Sequence, residues 1–105
     1  MPQFDVYPNP DSSTKARIPY VITLQADLLG PIENQVVAPL RLVDGDNVIP
    51  VLGLNPQAMI SGQRYHIRVQ DIAAVPRRLL QVPVANLTPQ REEILAALDL
   101  LFTGL

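Results

Sequence analysis

The chain has 105 residues, 48% of them hydrophobic, which fits one compact domain over residues 1–105 with a modest core. Its formal net charge of −2 argues against direct nucleic-acid binding, because that binding depends on a surplus of Lys and Arg that neutralises phosphates. Cysteine is absent, which excludes disulfides and thiolate metal sites. The opening residues lack a signal-peptide pattern and no apolar run approaches a membrane span, so we expect a cytoplasmic protein without a membrane partner.

The first third of the sequence predicts two strands separated by a loop. Residues 3–7 alternate apolar and polar side chains, which is the pattern of a half-buried strand. Residues 8–17 are dense in turn-forming and polar residues and predict an exposed loop. Residues 18–26 carry the longest alternation in the chain and predict the second strand. Leu28 and Leu29 follow, so we expect this pair at the strand's end, next to a turn.

The middle of the sequence predicts further antiparallel strands. Residues 36–43 are almost continuously apolar and predict a strand that is buried on both faces or that bulges at Pro39. Residues 44–47 contain Asp-Gly, a strong hairpin signal, so residues 48–52 should return antiparallel. Glycines and a proline interrupt residues 53–62, which predict a loop or a short ribbon. Residues 64–70 alternate again, so this strand should have one face in water.

The last eighteen residues, 88–105, predict an amphipathic helix. Thr88 can cap the first amides, and Pro89 suits the first helical position. Gly104 should end the helix by adopting a left-handed conformation, and the apolar Leu105 after it needs a partner surface. The apolar stripe recurs every three or four residues and comprises Leu87, Ile94, Leu98, Leu101 and Leu105.

The order of these elements indicates the fold class. Two prolines within residues 71–87 confine that stretch to edge or connecting structure before the helix. Many strands followed by one helix, with no repeat and no βαβ alternation, favour a mainly β, antiparallel fold with an appended C-terminal helix.

Several separated pieces of the sequence resemble the CcdB family, the toxins of bacterial plasmid-addiction pairs that poison DNA gyrase. The resemblance covers essentially the whole chain, and the order of the pieces carries it. Relative to that family pattern, the chain has a few extra residues around Gly53 to Gly62. The similar pieces are QFDVY at 3–7, QADLL at 25–29, VVAPL at 36–40, DIAAVP at 71–76, VANL at 84–87 and LDLLFTGL at 98–105.

The resemblance implies an SH3-like barrel of the CcdB/MazF toxin type, in which a twisted antiparallel sheet supports the C-terminal helix. It implies a homodimer whose two helix ends lie near the twofold axis and together enter the dimer of the DNA gyrase A subunit. It also implies a CcdA-like antitoxin that neutralises the toxin, a role in plasmid maintenance, and no enzymatic activity or cofactor. A symmetric patch suits a symmetric target because each apolar contact is made twice.

The resemblance also places a gyrase-binding site on seven residues, with a departure from the family pattern. In toxic members a tryptophan stands between the Phe and the Gly, where this chain has Thr103, and Asp99 replaces an amide. A buried aromatic stacked on a guanidinium contributes roughly 2 kcal/mol, which threonine does not supply. The residues carried over are Leu28, Leu29, Asp99, Phe102, Thr103, Gly104 and Leu105.

Other interpretations stay open at this point. The leucine pair and Phe102 are of a kind that more often packs in a core. His66, Arg68 and Asp71 match the base and the cation of an endoribonuclease toxin on the same barrel, although a solvated strand face is the interpretation we favour. A homologue that has lost its activity and binds only an antitoxin is a third possibility.

Overall fold

The computed structural model describes residues 2–26, 33–43 and 53–104. Leu28, Leu29, Leu105 and the hairpin expected over residues 44–52 lie outside the described residues. The strands are β1 (Asp5–Pro8), β2 (Tyr20–Thr23), β3 (Asn34–Leu42), β4 (Gln57–Ile60), β5 (Gln63–Ile67), β6 (Ala73–Pro76) and β7 (Ala85–Asn86), and the helix α1 is Arg91–Thr103. Short 3₁₀ turns occupy Val69–Asp71, Arg77–Leu79 and Thr88–Gln90.

The strands form one antiparallel sheet in the order β4-β5-β3-β2-β1-β7, with β6 paired to β3 outside that path. The nine-residue β3 is the centre of this arrangement, since its first half pairs with β6 and its second half with β5 while β2 runs along its other edge. The sheet curls into a nearly closed barrel. The mainly β, SH3-like architecture with a helix at the end of the sequence is confirmed.

The inner face of the sheet and α1 share one hydrophobic core. Alternate residues of each strand point to this face, as the two-residue period of a strand requires. From α1, Ile94 and Ala97 enter the same core and are fully buried. Other members with almost no exposed surface are Phe4, Val6, Ile22, Ala38, Leu40, Ile67 and Val69.

The outer face of the sheet divides into a covered half and a charged half. Leu80 covers Tyr7, Val21 and Val37 and forms a second apolar cluster with them. The prediction that residues 3–7 have one face in water is therefore wrong, because Tyr7 is only 3% exposed. The alternation within one strand cannot reveal that Leu80, from later in the chain, covers its second face.

Of the two predictions for residues 53–62, a loop or a short ribbon, the structure shows the ribbon. β4 turns back into β5 through Ser61 and Gly62, whose φ angles are 51° and 80°. Two consecutive positive φ angles suit the right-handed twist of a tight hairpin, and glycine adopts them without strain.

The start of α1 differs from the predicted cap. The backbone N–H of Thr88 donates to Asn86 Oδ1 at 2.9 Å, so Asn86 fixes the first turn while Thr88 opens a 3₁₀ segment. The α-helix begins only at Arg91, without a side-chain cap. Asn86 rather than Thr88 fixes this turn because the Asn86 amide also donates to Asp5 Oδ1 at 2.9 Å, which connects the turn to the edge of the sheet.

Replacing Asn86 with alanine is expected to cost about 2 kcal/mol of unfolding free energy, because it removes an acceptor for Thr88 and a donor to the buried Asp5 carboxylate. Thr88→Ala is the control and should cost less than about 0.5 kcal/mol, since the Thr88 side chain is exposed. Urea unfolding measures both variants. A larger cost for Thr88→Ala would restore Thr88 as the cap.

Candidate functional site

The last turn of α1 projects beyond the hydrophobic core. Burial falls along the helix from Ile94 and Ala97, which are fully buried, to Leu101, which is half-buried. Phe102 follows and is 73% exposed, the largest value among the exposed large hydrophobic side chains of the described residues. An exposed phenylalanine has no stabilising role in the folded chain, so core packing does not explain Phe102.

Gly104 ends the helix as predicted. Its φ of 73° and ψ of 15° are left-handed, and its N–H donates to the carbonyl of Leu100 at 3.0 Å. A Cβ built on Gly104 meets nothing within 4 Å, so this cap lies in open space beside Phe102. The stop signal therefore fixes where the apolar end of the helix meets solvent.

Asp99 and Thr103 complete the described part of the predicted site. The Thr103 hydroxyl donates to the carbonyl of Asp99 at 2.6 Å, one helical turn earlier. Both residues are exposed. Asp99 lies near the negative end of the helix dipole, and that last turn has no basic residue, so its carboxylate adds no stability there.

The structure thus brings four of the seven predicted site residues together. Asp99, Phe102, Thr103 and Gly104 lie within the last two turns of α1 and its cap, and all four are exposed. Leu28, Leu29 and Leu105 lie outside the described residues, so their place in this site stays a prediction.

Two supports of the helix come from residues 53–57, at and before the start of β4, and the sequence alone did not reveal them. Gln90 Nε2 donates to the backbone carbonyl of Gln57 at 2.6 Å, which holds the start of α1. Near the other end, a Cβ on Gly53 would come within 2.9 Å of Leu100 Cδ2, so glycine lets the chain approach the helix. Gly53 and Gln57 both lie in the stretch from Gly53 to Gly62, where we expect a few extra residues relative to the family pattern. The only sequence signal was the glycine at 53, whose φ is 82°.

His66, Arg68 and Asp71 do not assemble as the endoribonuclease interpretation requires. Arg68 Nε lies 2.6 Å from Asp71 Oδ2, so these two form an ion pair with each other. His66 is only 3% exposed, and its Nε2 lies 3.5 Å from Gln57 Nε2. A general base has to reach its substrate's proton, and this buried ring does not. The favoured expectation of a solvated strand face is also wrong at His66.

The surroundings of the His66 ring favour its neutral form. Burial lowers its pKa below the ordinary value, and the nearby Arg68 charge lowers the pKa further. The Nδ1 atom is buried without a hydrogen-bond partner, so protonation would place a second poorly solvated donor on the ring.

The described residues include no candidate metal cluster and no candidate membrane-spanning helix. No group of three or more His, Asp or Glu residues in the described ranges could hold a metal ion. Within the same ranges, α1 falls short of the length and apolar character that crossing a bilayer requires.

A barrel-like sheet with an apolar helix end exposed to solvent defines a small toxin-type barrel whose candidate site suits binding to another protein. The family model for the CcdB protein matches residues 3–104 of the 105, and the chain belongs to the CcdB family. This family comprises toxins of toxin–antitoxin systems that in general target DNA gyrase. A comparison with individually curated proteins gave no match.

The lowered pKa of His66 predicts a pH-dependent contribution to stability. As the pH falls below about 6.5, the unfolded chain binds this proton before the folded chain does, so the free energy of unfolding decreases. His66→Gln lacks that contribution. Between about pH 7.5 and 5.5 the free energy of unfolding should therefore decrease more for the wild type than for His66→Gln. Urea unfolding across about that range measures it. Carboxylates affect both proteins alike, and parallel profiles would contradict the prediction.

Proposed function

We propose that this protein is a gyrase-directed toxin that binds the A subunit of DNA gyrase through the last turn of α1. The observation that carries the proposal is Phe102, 73% exposed directly before the helix cap. The proposed contact residues are Leu28, Leu29, Asp99, Phe102, Thr103, Gly104 and Leu105. Family membership over residues 3–104 supports this choice of target.

The energetic argument rests on desolvation of the helix end. Burying an exposed phenylalanine against a partner contributes about 2 kcal/mol. Asp99 is exposed one turn earlier and suits a cationic partner group such as a guanidinium. An apolar anchor with a charge beside it is the usual composition of an interface hot spot and its rim.

Thr103 should make binding to gyrase weaker than in family members that carry a tryptophan at this position. Its hydroxyl is engaged with the carbonyl of Asp99, and its side chain has no aromatic face to stack on an arginine. We therefore expect gyrase binding with reduced affinity rather than a new chemistry at this position.

The assembly we propose is a homodimer in which two copies of α1 end near a common axis. Two copies of Phe102 would then meet the symmetric gyrase A dimer together, and each contact would count twice. A CcdA-like antitoxin is the proposed neutralising partner, and the protein acts in the cytoplasm by trapping gyrase on cleaved DNA rather than as an enzyme.

Phe102→Ala is expected to weaken binding to a gyrase A fragment by roughly 30-fold, the equivalent of about 2 kcal/mol. Val82→Ala is the matched control, since Val82 is 70% exposed and lies outside α1, before β7. Titration calorimetry with the full-length protein measures both. Equal losses in the two variants, or no effect of Phe102→Ala, would remove the helix end from the interface.

Thr103→Trp should strengthen the same binding by at least about tenfold, because an aromatic anchor replaces a side chain that bonds to its own helix. No binding by either version would count against a gyrase target and leave the inactive, antitoxin-binding homologue as the better explanation. The cellular counterpart is growth arrest after induction of this protein. It is compared between cells with normal gyrase and cells whose gyrase A subunit is altered at the arginine on which the tryptophan of toxic family members stacks.

A further inference from the structure

The uncovered half of the outer sheet face carries a cluster of cations. Arg64, His66 and Arg68 occupy alternate positions along β5 and its continuation, on the face opposite the core residues. Arg41 of β3 lies directly across from His66. From β4, the residues on this face are the uncharged Gln57 and Met59, which pair with His66 and Arg64. We call Arg41, Arg64, His66 and Arg68 the basic face.

The basic face has a surplus of positive charge in a chain whose net charge is −2. Among the described residues Arg68–Asp71 is the only ion pair, and it neutralises one of the three guanidiniums. Neither Arg41 nor Arg64 has an ionic partner in the described ranges. Arg64 is exposed and Arg41 is half-buried, so both can turn toward a ligand.

His66 supplies a second and independent observation. It is 3% exposed, and its Nδ1 atom is the only buried side-chain polar atom in the described residues without a hydrogen-bond partner. A buried polar atom without a partner is costly in a folded protein. The nearby positive charge of Arg68 also disfavours the protonated form of the ring.

We propose that the basic face binds an extended acidic peptide segment, and that His66 makes this binding tighter as the pH falls. Alternate side chains of an extended strand lie about 7 Å apart, so peptide carboxylates about four positions apart match the spacing of Arg64 and Arg68, while the ring of His66 stays buried between them. Guanidiniums bind carboxylates through paired hydrogen bonds. Arg41 adds a guanidinium from the neighbouring strand β3.

A peptide fits the basic face better than single-stranded RNA. Single-stranded nucleic acid binds through aromatic side chains that stack on its bases, and on this face the described residues include no aromatic side chain. The net negative charge of the whole chain also opposes a long polyanion more than a short acidic segment.

The pH dependence follows from linkage. Carboxylates bound by Arg68 offset the positive charge that helps to lower the pKa of the buried His66 ring. His66 therefore has a higher pKa in the complex, which takes up a proton that the free protein does not hold. Binding is therefore stronger at pH 5.5 than at pH 7.5, while glutamates with a pKa of about 4.3 stay charged over this range. Asp71 stays engaged by Arg68 and does not compete.

The test uses the full-length protein and a fluorescein-labelled peptide of roughly eight residues in which Glu alternates with Ser, with the Gln-for-Glu peptide and an oligouridylate as comparison ligands. Fluorescence anisotropy should show binding of the Glu peptide that weakens from about 50 to 200 mM NaCl and tightens from about pH 7.5 to 5.5. Arg64→Gln and Arg41→Gln should each weaken it roughly threefold. Arg91→Gln is the charge-matched control on α1, which packs on the inner face, and should have a smaller effect.

Four results would overturn the proposal. They are no binding of the Glu peptide, equal binding of the Gln peptide, equal losses in Arg64→Gln and Arg91→Gln, and tighter binding of the oligouridylate, which would mark a nucleic-acid surface instead. His66→Gln should abolish the pH dependence, and a retained pH dependence would remove His66 from the proposal. Phe102→Ala should bind the peptide normally, which separates this test from the gyrase proposal.

Discussion

The burial of Ile94 and Ala97 against the inner face of the sheet is the interaction on which the rest of the structure depends. Both side chains are fully buried and lie in the same core as the strand residues. A 13-residue helix is about 20 Å long, so anchoring its first half leaves its last turn to extend past the sheet. The exposure of Phe102 follows from where the helix is anchored and how long it is.

Residues 53–57, at and before the start of β4, contact the helix near both of its ends. Gln57 accepts a hydrogen bond at the start of α1, and Gly53 makes room for Leu100 near its end. A helix held only by its middle could pivot on the core, whereas these two contacts restrict that movement. An interface built on the last turn needs such restriction, because a rigid anchor loses less conformational entropy on binding.

Much of the fold was predictable because its signals are local. The three- and four-residue spacing in α1 and the alternation in β2 depend only on neighbouring residues, and Gly104 as a stop depends only on its own backbone freedom. The failures come from distant partners. Asn86 displaced Thr88 as the cap because it also reaches Asp5, and His66 is buried by neighbours from other strands.

The same distinction between local signals and distant partners applies to the candidate site. Phe102 and Gly104 were identified from the sequence, because a family ending marks them and a helix stop needs no distant partner. The exposure of Phe102 was not identifiable, since the length of helix covered by the sheet depends on how β4 and β5 are placed. The bond from Thr103 to Asp99 is local, but a sequence does not show which acceptor a hydroxyl chooses.

The helix end and the basic face lie on opposite sides of the sheet, and Gln57 touches structures belonging to both. Its side-chain amide lies beside His66 on the outer face, and its backbone carbonyl receives the amide of Gln90 at the start of α1. Ligands on the two sides do not compete for the same atoms, so each can bind without displacing the other. Any coupling between them has to alter the free energy of a shared element, and the hydrogen bonds of Gln57 are the shortest connection that the described residues provide. Since the Gln57 carbonyl belongs to the backbone of β4, such coupling would act through a shift of that strand rather than through a rotation of the Gln57 side chain.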